Sequence, residues 1–166
     1  MGIGIVTTAQ KKGIVTDEHL KIATDTMLIL NSLGAAIGKL PYVSAMTDVT
    51  GFGLLGHLCE MCEGSGLSAE IEFSKVPKFD FLDQYIQQKS MPGGTTRNLE
   101  SYGHKISALT DVQKAILADP QTSGGLLIAV DEDKVGDFES FASIKGLTLK
   151  PFGKLVSKNN NVIRVS

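Results

Sequence analysis

With 42% hydrophobic residues, the 166-residue chain can bury one core but is too short for two ordinary domains, so residues 1–166 read as a single domain. Sixteen basic against eighteen acidic residues leave a net charge of −2, and basic clusters such as Lys11-Lys12 are short, which argues against a nucleic-acid surface. Met27 to Ile37, the longest apolar-leaning run, is broken by Asn31, Ser32 and Gly34, no charged leader precedes an apolar stretch, and there are only two cysteines. These features predict a cytoplasmic protein without membrane span, signal peptide or disulfide framework.

Residues 3 to 8, rich in β-branched Ile, Val and Thr, predict a first strand. Thr16 ahead of Asp17 and Glu18 marks a helix start, with Leu20, Ala23, Met27, Leu28, Leu30, Ala35 and Ile37 on one broad apolar face until Gly38 and Pro41 end it. Tyr42 to Met46 is a short strand leading to a turn at Asp48. Phe52 to Glu63 is a helix stopped by Gly64-Ser65-Gly66, and Ser68 to Phe73 alternates as a half-exposed strand. After a linker, Phe81, Leu82, Tyr85 and Ile86 have helical spacing, and Pro92 to Asn98 reads as a loop.

Thr110 with Gln113 is a capping-box signature for a helix through about Leu117. The Asp119 to Gly125 turn feeds Leu126 to Val130, an apolar run suited to a strand covered on both faces. Val135, Phe138, Phe141 and Ala142 predict a last amphipathic helix closed by Gly146, and Leu147 to Val156 and Val162 to Val165 are strands joined across Lys158-Asn161. Five helices and about six strands in mixed order predict an α+β layered sandwich, a mixed β-sheet with flanking helices.

The richest chemical run is Met46-Thr47-Asp48-Val49-Thr50-Gly51-Phe52-Gly53-Leu54-Leu55-Gly56-His57-Leu58. It sets a carboxylate beside a glycine turn that opens a helix, where unpaired N–H groups and the dipole favour anions. An aspartate there repels a bare phosphate unless a divalent cation lies between them. Asp48 is thus a candidate magnesium ligand, with Thr50 and Gly51 nearest the phosphates; equally, Thr47 or Asp48 could simply cap the following helix. Gly93, Gly94, Thr95, Arg97 and Asn98 combine flexible backbone with a guanidinium, suited to a phosphate or carboxylate. Asp119, Thr122 and Ser123 sit in a tight turn into a strand; by residue type alone both stretches read as plain turns, the arginine facing solvent.

Cys59 and Cys62 form a CxxC, but a zinc site needs four ligands and no second pair exists, so both read as packing thiols late in a helix. His57 reads as a packing and hydrogen-bonding residue, and His19 and His104 have no evident partners. No Walker loop, Rossmann fingerprint or protease motif is present.

Four stretches, Ile3-Ala9, Met46-Leu58, Pro92-Asn98 and Asp119-Leu127, occur in the order and spacing of the selenophosphate synthetases, and together they span nearly the whole chain. TDVTGFGLLGH with DPQTSGGLL separates that family from the aminoimidazole ribonucleotide synthetases, hydrogenase maturation proteins and thiamine monophosphate kinases that share its fold. The resemblance implies the fold of the C-terminal domain of aminoimidazole ribonucleotide synthetase, and covers only the C-terminal half of a synthetase. It further implies ATP and Mg2+ as cofactors, with selenide and water as co-substrates, and it assigns Gly93, Gly94, Thr95, Arg97 and Asn98, edged by Asp119, Thr122 and Ser123, to the cleft between the two halves. The family's N-terminal domain, with its reactive Cys or selenocysteine, Lys and further metal-binding aspartates, is expected as the partner. On this reading the chain alone is an inactive monomer and the complete enzyme a homodimer. A free-standing, non-enzymatic ligand- or partner-binding domain, or half of an aminoimidazole ribonucleotide synthetase-type ATP-dependent enzyme, is the alternative.

Overall fold

A computed structural model describes all 166 residues. The helices are α1 (Ile3–Lys11), α2 (Asp17–Met27), α3 (Gly34–Ile37), α4 (Gly53–Ser65), α5 (Leu82–Gln87), α6 (Gly93–Tyr102), α7 (Asp111–Leu117) and α8 (Val135–Ile144). The strands are β1 (Val43–Asp48), β2 (Leu67–Ile71), β3 (Leu126–Val130), β4 (Gly153–Ser157) and β5 (Ile163–Val165). The α+β class and mixed pairing predicted from sequence are borne out: β1 and β3 form an antiparallel ribbon, while β2 lies between β4, antiparallel to it, and β5, parallel to it. No helix is long and apolar enough to cross a membrane.

Helix α4 packs against strands of both sheets. Its Leu54, Leu55, Leu58, Cys59 and Cys62 meet Ala69 and Ile71 of β2, Ile163 of β5, Tyr102 of α6 and Leu127 of β3 in one core. A second core joins Ile3, Ile5, Val6 and Ala9 of α1 to Ala23 of α2, Leu82 and Tyr85 of α5 and Ile116 of α7. Several local signals act as read: Thr16 accepts the His19 amide at the start of α2, the Thr110–Gln113 capping box is complete, and left-handed Gly66 ends α4.

Five expectations are corrected. Residues 3 to 8 form helix, not strand: α1 is buried on nearly every side, so its apolar pattern has no helical stripe, and tertiary packing overrides the β-branched preference. The helix expected from Thr16 to Gly38 breaks after Met27 and resumes only as α3, because Asn31 turns the chain, its carbonyl accepting from Gly34 N and its side chain donating to Gly124 O. Leu28 and Leu30 are left 73% and 81% exposed. The Pro92–Asn98 loop is instead the opening of α6, with Pro92 at the N-cap. The β3 strand is not covered on both faces; only Leu127 is buried. β4 begins at Gly153, well after Leu147.

Candidate functional site

The end of β1 delivers Asp48 opposite Leu126 at the start of β3, so the turns following β1 and preceding β3 lie side by side. Backbone bonds lock them: Val49 N donates to Gly125 O at 2.9 Å and Gln121 N to Thr50 O at 3.0 Å. Gly124 is required by this contact, since a Cβ there would stand 1.8 Å from Val49 O. Ser123, exposed in the same turn, holds a left-handed φ of 49°, a conformation costly for a residue with a side chain.

Helix α6 closes the third side. Asn98 is buried and its side-chain amide donates to Gly51 O at 2.9 Å and Ala118 O at 3.0 Å, tying the α4 entry turn to the end of α7. Gly94 lets α6 approach Pro120, whose Cγ would lie 2.6 Å from an added Cβ. Thr95 is fully buried with an unpartnered hydroxyl, whereas Gly93 and Arg97 are exposed at the helix opening. Tyr102, one face further along, donates to Phe52 O at 2.6 Å and fixes the first residue before α4.

The sequence-selected residues therefore converge but divide into two kinds. Asp48, Gly51, Gly93, Arg97, Thr122 and Ser123 are exposed and Thr50 is half-buried. Thr95, Asn98 and Asp119 are buried, with Gly94 intermediate. Asp119 faces α1: its Oδ2 accepts from Gly4 N at 2.9 Å and from Gln121 Nε2 at 2.7 Å, and its Oδ1 has no partner. Burial pushes its carboxyl up to about 7, opposed by those two hydrogen bonds. Its visible work is to hold the first turn of α1 against the turn before β3.

Asp48 caps no helix. It lies within β1, and the N-cap of α4 is Phe52, without a side-chain cap. Its exposed carboxylate suits one ligand of a cation. No group of three or more His, Cys, Asp or Glu side chains is placed to hold a metal ion.

His57 is buried on α4, with Nε2 3.2 Å from Thr50 Oγ1 and Nδ1 3.1 Å from Glu60 Oε2. The sequence signal for Glu60 is its spacing of three from His57, at which side chains on a helix meet. A cleft of about 140 Å³ opens beside this pair, lined by Ala45, Met46, Thr47, His57, Glu60 and Met61. Cys59 and Cys62 are both buried and free, and desolvation pushes their thiols up to about 12 and about 11, the opposite of a reactive pair.

Over residues 1–166 the sequence matches the family described as AIR synthase related protein, C-terminal domain. Among curated proteins, the selenide, water dikinase of Pasteurella multocida is 52% identical over 161 residues, 97% of this chain and 46% of its own length. Those of Pseudomonas putida and Haemophilus influenzae are 52% and 53% identical over 165 residues, 99% of this chain and 48% of theirs. The chain thus spans about half the length of the curated relatives it matches. Among solved structures, tt0281 from Thermus thermophilus has a TM-score of 0.61 at 14% identity, covering 99% of this chain and 46% of that one. The E. coli hydrogenase maturation protein HypE has a TM-score of 0.58 at 17% identity, over 98% of this chain and 42% of that one. At these identities the likeness speaks for the fold.

Proposed function

The chain belongs to the AIR synthase related protein, C-terminal domain family, and from that membership we propose that it is the C-terminal half of a selenophosphate synthetase, a selenide, water dikinase. The reaction is ATP-dependent phosphoryl transfer yielding selenophosphate, AMP and phosphate. The observation that carries the reading is the identity near half of all positions to several selenide, water dikinases across almost the whole chain. The joined turns bearing TDVTG and DPQTSGG support it, because the two signature stretches share one edge of the fold.

In this reading Asp48 contributes one carboxylate to magnesium, while Thr50, Gly51, Gly93, Arg97, Thr122 and Ser123 line the phosphate-facing edge. Bound magnesium supplies charge neutralisation at the phosphates. The chain's own residues orient and screen. Arg97 lies one turn into α6 with its guanidinium reaching back beside Gly93, where it can pair with phosphate oxygens. Asn98, Thr95, Gly94 and Asp119 back that edge, and Asn98 holds Gly51 in place from beneath. The nucleophile and remaining metal ligands come from an N-terminal domain, the chain's partner. Alone the chain is monomeric and inactive; the complete enzyme is a homodimer.

The test measures AMP and phosphate release with ATP, selenide and magnesium, for the chain alone and for the chain joined behind the N-terminal half of the Pasteurella multocida relative. Selenide-dependent AMP from the joined protein only is the expected result. Turnover by the chain alone, on the order of 1 per second or faster, overturns the half-site reading.

A further inference from the structure

Thr50, His57 and Glu60 form a continuous line: hydroxyl to Nε2 at 3.2 Å, and Nδ1 to carboxylate at 3.1 Å. The elements make the line rigid at its centre. His57 is 8% exposed, on the first turns of α4, and its ring packs 5.8 Å from that of Phe52. Thr50 lies in the entry turn, pinned by the Gln121 N bond to its carbonyl. Glu60, at the outer end, is exposed.

The chemistry of the partners sets the direction of each proton. An ionised carboxylate only accepts, so the nitrogen facing Glu60 must carry the hydrogen. In the neutral ring the other nitrogen, Nε2, is then an acceptor, and the only hydrogen available to it is that of the Thr50 hydroxyl. With its hydrogen turned inward, Thr50 Oγ1 offers lone pairs outward. We infer that Glu60, acting through His57, is a positioning residue that turns the Thr50 oxygen into an acceptor directed away from the ring, in the half-buried turn two residues after Asp48. An acceptor there favours a cation, or a water in a cation's shell, and disfavours direct contact with a bare phosphate oxygen. This rests on the reading of the Asp48–Gly51 turn as the metal and phosphate edge, and it moves Thr50 from the phosphate side of that edge to the cation side.

The orientation is read directly by long-range hydrogen–nitrogen NMR of the chain labelled with 15N at histidine. Wild-type His57 should show Nδ1 protonated and Nε2 bare. Glu60→Ala should shift the proton toward Nε2, while Thr50→Val, which leaves Glu60 in place, should keep it on Nδ1. A wild-type ring carrying a proton on Nε2, whether alone or together with Nδ1, or a Glu60→Ala ring unchanged from wild type, overturns the inference. Magnesium dependence in the joined two-domain protein separates this from the site reading. Thr50→Val and Glu60→Ala should each raise the magnesium concentration needed for half-maximal rate, with Thr50→Ser restoring it. If the tautomer behaves as expected but Thr50→Val leaves magnesium dependence unchanged, the orientation stands and the cation-facing role of Thr50 is refuted.

Discussion

Replacing Asp119 by Asn should make the chain more stable above neutral pH and not at acid pH. The Asp119 side chain is 0% exposed, and burial lifts its carboxyl from the ordinary 3.8 to about 7. A folded-state value above the unfolded one means the native state holds the proton more tightly. The stability Asp119 contributes is then complete below pH 4 and is lost as pH climbs through 7. At 1.36 kcal/mol per decade of proton affinity, the loss over that window is about 4 kcal/mol. Asn keeps an oxygen to accept from Gly4 N and Gln121 Nε2, while its NH2 takes the place of Oδ1, which accepts no well-formed hydrogen bond and has only the Ile5 N–H near it. The Met1 ammonium, lowered to about 6 by burial, runs the other way between pH 6 and 8. Subtracting wild type from variant removes most of its effect. Urea unfolding of both proteins at pH 4 and pH 8 should give a difference that swings by about 4 kcal/mol in favour of Asn at the higher pH. An Asn variant weakened equally at both pH values would show that Asp119 is a charged cap on α1, stabilised by its N–H donors, and the reasoning from desolvation would fail.

Cys59 and Cys62 should resist a thiol reagent at pH 8 in the folded chain and react only on unfolding, given thiols raised to about 12 and about 11; rapid labelling, or one zinc per chain by elemental analysis, refutes the packing assignment. Gly124→Ala should destabilise by about 1–3 kcal/mol or more, because the new Cβ collides with Val49 O and must push the two turns apart; an unchanged melting temperature would show the turns to be loosely joined. Tyr102→Phe should cost about 1 kcal/mol in chemical denaturation by leaving Phe52 O without its 2.6 Å donor, and a neutral result would mean water replaces the phenol.

The elements legible in the sequence were those with local signals. Thr110 and Gln113 specify their own capping box, Thr16 specifies the start of α2, and Gly66 ends α4 through a left-handed turn. The errors occurred where distant residues decide. α1 receives Asp119 and Gln121 at its amide end across 115 and 118 residues, and nothing in Ile3-Gly4-Ile5-Val6 announces those partners. The opening of α6 looked like a loop because Pro92-Gly93-Gly94 is turn chemistry; the glycine serves Pro120 instead. At the site, the two signature turns were readable, but their backbone joining was not, and neither was the line from Thr50 through His57 to Glu60. Its members are spaced seven and three apart, and only the fold of the entry turn over α4 brings the hydroxyl to the ring.

The central claim, that the TDVTG turn brings a metal-holding carboxylate to a phosphoryl-transfer site, is tested most directly by Asp48→Asn in the chain joined to the N-terminal half of a selenide, water dikinase relative. The substitution preserves shape and removes the charge at an exposed position that caps no helix. Selenide-dependent AMP formation should fall by orders of magnitude, while the melting temperature of the isolated chain stays within about a degree or rises slightly. Full activity in the Asp48→Asn protein would contradict the assignment.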